Sequence, residues 1–268
     1  MSRRIKGNGS IPRKITAILA LAAMSMSGYA ADNSIYVDQA GDNSTITITQ
    51  DGAGNTVRGL PGVGTSSITP AKIWGNNNTV VVDQIGSSNM LRFGIDTTTG
   101  GTGTPNIRYS VTGNNADATI KSMNPGLAND SPIIDVQQLG NFSVLNIDQT
   151  GTGPNNSITA IQSGGNNNSL SVNQSSDTTS TVNVNQTGGG GNTTAINQSQ
   201  GKNDVSLTTL GATNTTTINQ TGDNQAVINI TGSGNNTALT QSNLSGGNNI
   251  FNYTGVGSGN NVTVLQNK

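Results

Sequence analysis

The chain of 268 residues has no cysteine, no histidine and no glutamate. Without cysteine there is no disulfide framework and no thiolate zinc site. Without histidine there is no imidazole metal centre and no serine triad of the usual kind. Charged residues make up 9% of the chain and the net charge is −1, so nothing electrostatic favours a nucleic acid partner. Aromatic residues are 3%, with a single tryptophan, which leaves little material for stacking on sugar rings. Only 7 residues are proline. Long apolar runs are missing after the first thirty residues. What fills the chain instead is 36 Gly, 39 Asn, 36 Thr and 15 Gln, together 126 of 268 positions. Disordered chains usually carry more charge or more proline than this. The composition suits a repetitive stack with a thin core, in which backbone and amide hydrogen bonds supplement a limited apolar content.

The N-terminus reads as a secretory signal. Arg3, Arg4, Lys6, Arg13 and Lys14 precede an apolar run over 15–24, and Gly28, Tyr29 and Ala30 supply small residues at a cleavage site after Ala30. The run is too short to span a bilayer. The Arg3-Arg4 pair also suits the twin-arginine route. Removal of residues 1–30 leaves 7 basic residues against 13 aspartates, a net charge of −6.

From residue 33 on, one seven-residue shape recurs: Asn, any, apolar or Thr, any, apolar, any, Gln. It opens on Asn33, Asn78, Asn156, Asn168, Asn192, Asn214, Asn235 and Asn260. It closes on Gln39, Gln84, Gln162, Gln174, Gln198, Gln220, Gln241 and Gln266. Segment 180–186, ending at Gln186, differs only in its first residue. The marked positions lie at even spacing, so in a strand they share one face. Apolar residues three and four apart, which a helix needs, are missing from these segments. Val, Ile and Thr fill the middles, as strands prefer. Each segment is therefore predicted to be a strand of five to seven residues. Gly- and Asn-rich reversals follow: Gly41, Asp42 and Asn43; 188–192; Gly201, Lys202 and Asn203; Gly222, Asp223 and Asn224. Gln149, Gln162, Gln174, Gln186 and Gln198 mark a step of about half a coil. Two steps give a coil of roughly 22–24 residues, in the range of stacked repeats. The fold class is all-β, a β-solenoid of strand-turn-strand coils. Equivalent residues would stack about 4.8 Å apart, Asn over Asn and Gln over Gln, with a dry apolar stripe between. The two end coils would keep unpaired backbone edges.

Regularity is uneven. Residues 133–268 form a regular array of twelve strand units. Residues 31–132 hold clear pairs at 33–50 and 78–95. Between and after them lie irregular segments 57–77 and 96–132, with Pro61, Pro70, Pro105, Pro125 and Pro132, predicted to be insertions or loops on the stack.

These residues resemble a known family. The curlin repeat of bacteria reads Gln-x-Gly-x-Gly-Asn, with a second Gln eleven residues after the first. Here Gln39, Gly41 and Asn43 lead to Gln50; Gln138 and Gly140 lead to Gln149; Gln84 and Gly86 are followed by Asn89; and Gln149, Gly151 and Gly153 match locally. Several second Gln positions hold Ile95, Leu210 or Thr231 instead. The resemblance implies a subunit of curli, the extracellular amyloid fibre of Gram-negative bacteria. It also implies unfolded passage through an outer-membrane curli export channel, a nucleator subunit as partner, and polymerisation with copies of itself into a fimbrium supporting biofilm and adhesion. No enzymatic activity and no cofactor are expected. The rival is a monomeric secreted adhesin or ice-binding solenoid, for which Thr45, Thr47 and Thr49 would form the start of an outward threonine array.

Asp38, Asp83 and Asp148 each precede a strand-ending Gln and should face outward. They read as a calcium or sugar column, or more simply as gatekeeping charges that slow aggregation of a sticky strand. Arg58, Lys72, Arg92, Arg108 and Lys121 are five of the 7 bases after residue 30. They read as a docking patch for a polyanion, or as solvated charges that protect edges. Trp74 reads as a loop aromatic packed on the stack. The Gly-rich turn at 188–191 lacks the Lys and Ser/Thr of a phosphate loop.

Overall fold

The computed structural model describes residues 33–40, 45–60, 71–74, 78–97, 106–124, 133–150, 157–175, 179–243 and 248–268. Every regular element in them is a strand. The signal segment 1–30, Asn43, Asn156 and the five prolines of the irregular segments lie outside the described residues.

The chain winds as a β-solenoid with two long parallel sheets. One sheet runs in order through β1 (Ser34–Ile35), β4 (Thr56–Gly59), β7 (Met90–Thr97), β10 (Asp117–Asn124), β12 (Val144–Thr150), β14 (Ser169–Ser175), β16 (Thr193–Ser199), β18 (Thr215–Gly222), β20 (Asn236–Asn243) and β22 (Asn261–Asn267). We call it the first sheet. The second runs through β3 (Thr45–Asp51), β6 (Thr79–Ile85), β8 (Asn106–Ile107) with β9 (Ser110–Thr112), β11 (Ile133–Leu139), β13 (Ser157–Gln162), β15 (Ser180–Thr187), β17 (Asn203–Leu210), β19 (Asn224–Thr231) and β21 (Asn249–Val256). From β6 on, successive strands of the chain fall in opposite sheets, apart from the β8–β9 pair that shares one rung. The step between stacked equivalents varies from 21 to 34 residues, because the connections differ while the strands do not.

Alternation of side chains builds the core. In β15 and β17 every second residue is buried and the intervening ones are partly or fully exposed. Ile158, Val182, Val205 and Ala226 stack in one such column, and Ile147, Val172, Ile196, Ile218 and Leu239 in another. Each fully buried Val, Ile or Leu contributes about 1.5–3 kcal/mol relative to exposure. A single rung offers only two or three such residues per strand, so the core gains stability only as rungs accumulate.

The two edges of the solenoid differ. Where the chain passes from the second sheet to the first, the turn is short and follows one pattern: a positive-φ glycine, one residue (two in the turns from Gly164 and Gly188), a second positive-φ residue, then the residue that opens the next strand. Gly211 (φ 109) with Thr213 (φ 56) and Gly232 (φ 121) with Gly234 (φ 68) are examples. A Cβ on Gly211 would strike the carbonyl oxygen of Gly232 in the next rung, so glycine is required there by packing as well as by φ. The opposite edge carries connections of variable length, and both irregular segments leave from it. Segment 57–77 overlaps β4 and contains β5 (Ala71–Trp74), which places Trp74 on a strand rather than in a loop. β5 pairs in parallel with β2 (Val37–Ala40) as a separate two-stranded sheet, which lies beside β7. Segment 96–132 likewise overlaps β7 and contains β8, β9 and β10.

Candidate functional site

The described residues contain no group of three or more acidic side chains placed to hold a metal ion. The chemistry of this chain lies in its amides, arranged in columns that run along the stack.

Strand-ending glutamines form the clearest columns. In the first sheet Nε2 of Gln149 donates to Oε1 of Gln174 at 3.1 Å, and the relay continues through Gln198 (3.0 Å), Gln220 (3.0 Å), Gln241 (2.9 Å) and Gln266 (2.7 Å). Ser122 starts it, its Oγ donating to Oε1 of Gln149 at 3.0 Å. In the second sheet the relay points the other way along the stack. Gln186 donates to Gln162 at 2.9 Å, Gln162 to Gln138 at 3.3 Å, and Gln84 to Gln50 at 3.1 Å. The same nitrogens also bridge the sheets. Nε2 of Gln162, Gln220 and Gln241 donates to the carbonyls of Val144, Asp204 and Gln225. Each of those carbonyls belongs to the first or second residue of a facing strand. A coil reverses direction between sheets, so the end of one strand lies opposite the start of the other. Glutamine has the length to cross that gap. Most of these side chains are fully buried; Gln50 and Gln266, at the ends, are only partly so.

Asparagines perform a different task. Most Asn residues that open a first-sheet strand inside the stack tie together three rungs. Oδ1 of Asn192 accepts the backbone N–H of Asn214 (3.0 Å), and Nδ2 of Asn214 donates both to Oδ1 of Asn192 (3.1 Å) and to the carbonyl of Gly232 (2.9 Å). Asn235 repeats this with Asn214 and Gly257, and Asn260 donates its N–H to Asn235. Lower in the stack Asn33, Asn55 and Asn89 do the same with Gly52, Gly86 and Gly113. Asn168 accepts the N–H of Asn192. The asparagine therefore holds the tight turn, and the glycine must lack a side chain for the turns to nest. Asn78 stands in a second column, that of the second-sheet strands, with Asn203 and Asn224, whose Nδ2 groups close their own local turns.

Asn55 had no place in the seven-residue shape, because the strand it opens is interrupted after Gly59. The signal that marks it is the preceding Gly52, Ala53, Gly54 turn. A second difference concerns the departures from the repeat. A step of twelve from Gln198 points to Leu210 and a step of eleven from Gln220 to Thr231 as occupants of the glutamine column, but pairing places Thr209 and Ile230 there. Leu210 and Thr231 face outward. The turn before β17 is shorter than a fixed step allows, and the column follows the pleat rather than the count.

The second-sheet column is interrupted at Val111, which sits between Gln84 and Gln138. The interruption leaves Oε1 of Gln84 and Nε2 of Gln138 buried without partners among the described residues. Tyr109, two residues earlier on the same face, is fully buried and its hydroxyl is likewise unpartnered. Burial, with a smaller contribution from Asp117, pushes its phenol above the ordinary range.

Charged side chains lie on the outer faces. Arg92 holds Asp117 with two bonds (2.6 and 3.0 Å), Lys121 holds Asp148 at 3.0 Å, and Arg108 lies 3.9 Å from Asp135. Each pair joins a base to the acid of the next rung. Arg58 lies against the sulfur of Met90. Lys72 and Asp38 are aligned on β5 and β2; their side chains, and that of Gln39, lie outside the described residues. Asp83 is partly buried with Oδ1 unpartnered, and burial followed by the charge of Asp51 raises its pKa. Thr45, Thr47 and Thr49 meet Thr79, Val81 and Asp83 on the next rung, so the outward threonine array ends after one strand.

The outermost strands are β3, β1 and β2 at one end and β21 and β22 at the other. β21 and β22 carry no charged side chain, and their inward residues Phe251, Tyr253 and Val264 are only partly covered. No helix among the described residues is long and apolar enough to cross a membrane.

Residues 26–57 match the family model described as the curlin associated repeat. The matched stretch spans β1, β2 and β3 and the start of β4, including the Asn33–Asn55 clamp. No curated protein matches the chain, and no solved structure matches it.

Proposed function

We propose that this chain, which carries a curlin repeat in a β-solenoid, is a structural subunit of an extracellular amyloid fibre and grows by strand addition at the ends of the stack. The observation that carries this reading is the state of the two ends. Among the described residues no further strand pairs with the outer edges of the two sheets; a glutamine column reaches β22 at Gln266 and β3 at Gln50, and the asparagine clamps reach Asn260 and Asn33. The β21 and β22 strands hold neither charge nor proline, and edge strands of that kind are templates for further pairing. Growth that joins unlike ends does not close and yields a filament.

In this reading residues 1–30 are a secretory signal, and the protein acts outside a Gram-negative cell after passage through an outer-membrane export channel. A nucleator subunit starts the fibre, which supports biofilm and adhesion. The chain is not an enzyme and takes no cofactor. The ladder amides, Gln162, Gln174 and Gln186 among them, are the working residues, and Asp38, Asp83 and Asp148 act as gatekeepers.

The test is seeded growth. Residues 31–268 are purified under denaturing conditions, diluted into buffer and followed by thioflavin T with and without preformed seeds. The expected result is a lag abolished by seeds, with fibres showing the ~4.8 Å spacing of stacked strands. A folded monomer that never converts refutes the reading. Alanine at Gln162, Gln174 and Gln186 should slow growth. Asparagine at Asp38, Asp83 and Asp148 should leave it equal or faster, and slower growth in that set refutes the gatekeeper role.

A further inference from the structure

The two ends of the stack differ in a way that specifies how copies join. At the β3 end the glutamine column of the second sheet begins with Gln50, whose Nε2 is buried and has no partner among the described residues. In every bond of that column the donor points toward this end: Gln84 to Gln50, Gln162 to Gln138, Gln186 to Gln162. Gln50, the last glutamine of the column, is thus left with a donor that no described side chain accepts.

At the β21 end the same column ends on Gly255, which pairs with Ile230. The glycine has no side chain, and the space is taken by Tyr253. A Cβ built on Gly255 would collide with the Tyr253 hydroxyl, so that oxygen lies where the side chain of the column would start. Tyr253 stacks on Phe251 with ring centroids 6.2 Å apart and an interplanar angle of 18°. Inside the stack Tyr109 likewise stands two residues before Val111 at the gap in this column, but there the hydroxyl bonds neither Gln84 nor Gln138.

The remaining positions of the two ends also agree. Continuing the parallel register past β21 sets Phe251 over Ile46 and Tyr253 over Ile48 of a following copy, apolar on apolar as in every rung between. Continuing it past β22 sets Asn260 over Asn33, whose backbone N–H would take the place that Asn260 itself has on Asn235. Joining β3 to β3 instead would bring Asp51 of two copies into the same junction.

We infer that the partner of the β21–β22 end is the β1–β3 end of a second copy, in the register 253 over 48, with the Tyr253 phenol oxygen accepting the Gln50 side-chain amide across the junction. This rests on the fibre reading above and adds its polarity and its contact residues. Strand pairs stay parallel through the junction, so each addition recreates the same end. A β21 end joined to another β21 end would pair antiparallel and close.

The chain has no cysteine, so engineered thiols report the junction directly. Thr47 and Asn252 face outward on strands predicted to stack, within the usual Cα separation of about 4.4–6.8 Å for a disulfide. Thr47→Cys and Asn252→Cys are made separately, co-assembled, oxidised and analysed by mass spectrometry. The expected product is the 47–252 disulfide, with little 252–252 or 47–47 and little 252–45 when Thr45→Cys replaces Thr47→Cys. Fibres that give 252–252, or no 47–252, overturn the junction and leave the fibre reading standing. Failure to assemble at all, by thioflavin T and microscopy, overturns both. Tyr253→Phe removes only the phenol oxygen and should slow seeded elongation about fivefold or more, the range for losing the partner of a buried donor. Elongation at the wild-type rate overturns the role given to the phenol.

Discussion

Replacing Gln198 by leucine isolates the contribution of one ladder amide, because the two side chains are close in length and the site is fully buried. Gln198 accepts from Gln174 at 3.0 Å, donates to Gln220 at 3.0 Å, and reaches the Thr181 carbonyl at 3.4 Å. Leucine removes all three. Oε1 of Gln220 then loses the Gln198 bond, and Nε2 of Gln174 keeps only the long contact to the Ser157 carbonyl at 3.5 Å. Each buried group left unsatisfied costs about 1–3 kcal/mol, so the variant should lose roughly 2–6 kcal/mol, less whatever the added apolar burial restores. The control is Asn197→Ala on the same strand. Its amide bonds Asn219 at 2.9 Å on the exposed face, where water replaces the lost partner and the cost should stay under about 1 kcal/mol. Denaturant unfolding of the freshly folded monomer, with hydrogen exchange on β14, β16 and β18, reads both. If Gln198→Leu costs no more than Asn197→Ala, the amide column is not a stabilising element and the argument from ladders fails.

Restoring the column should have the opposite sign. Tyr109→Val with Val111→Gln copies the pattern of β6 and β11 into the gap and supplies partners for Gln84 and Gln138; the denaturation midpoint should rise, and a fall refutes the account of the gap. Gly211→Ala should cost several times more than Gly234→Ala: the first places a methyl against the Gly232 carbonyl, while the second meets nothing within 4 Å and suffers only the left-handed backbone strain of ~1–2 kcal/mol. Asp83→Asn should stabilise at neutral pH, as burial and Asp51 raise the Asp83 pKa above its unfolded value. The folded state then holds the proton more tightly, so this group's penalty is fully present above its raised pKa and disappears as pH falls to the unfolded value. A variant whose advantage persists in acid refutes that assignment. Arg92→Gln should speed hydrogen exchange in β7 and β10 and remove part of the salt dependence there, while leaving β16 to β20 unchanged.

The strands and their inward faces were legible because period-two alternation and the Asn-to-Gln spacing are local properties. Pairing was not local. Asn33 and Asn78 open the same seven-residue shape, yet Asn33 aligns with Asn55 and Asn89 in the first sheet, while Asn78 belongs to the second. The shape recurs every half coil, so it marks a strand without saying which sheet receives it. Step lengths from 21 to 34 residues then defeat any fixed count, as the positions of Thr209 and Ile230 demonstrate. The role of asparagine was only partly visible. Stacked amides suggested side chain on side chain, whereas the shared feature is a side-chain oxygen holding the backbone N–H of the next rung, which needs the glycine turn beside it.

The basic cluster has an account that neither a docking patch nor a solvated face supplies. The opening column of the first sheet loses its asparagine at Ala116 and Ser143, and the glutamine columns lapse at Ile95, Ser122 and Val111. These five lapses fall within 90–150, and so do the ion pairs Arg92 with Asp117, Arg108 with Asp135 and Lys121 with Asp148; the later lapses at Thr209, Ile230 and Gly255 lie beside unbroken asparagine clamps and glutamines of the first sheet. A parallel stack with apolar residues at every second position tolerates a slip of two residues unless something specific forbids it. Amide columns forbid it where they are continuous. Where the columns of both sheets lapse, within 90–150, a base set beside the acid of the next rung does so, since a slip would leave both charges without partners. Such exposed pairs contribute under about 1 kcal/mol each to stability. Their effect is on register, in the part of the stack whose sequence is least repetitive and where a shifted pairing would otherwise cost least.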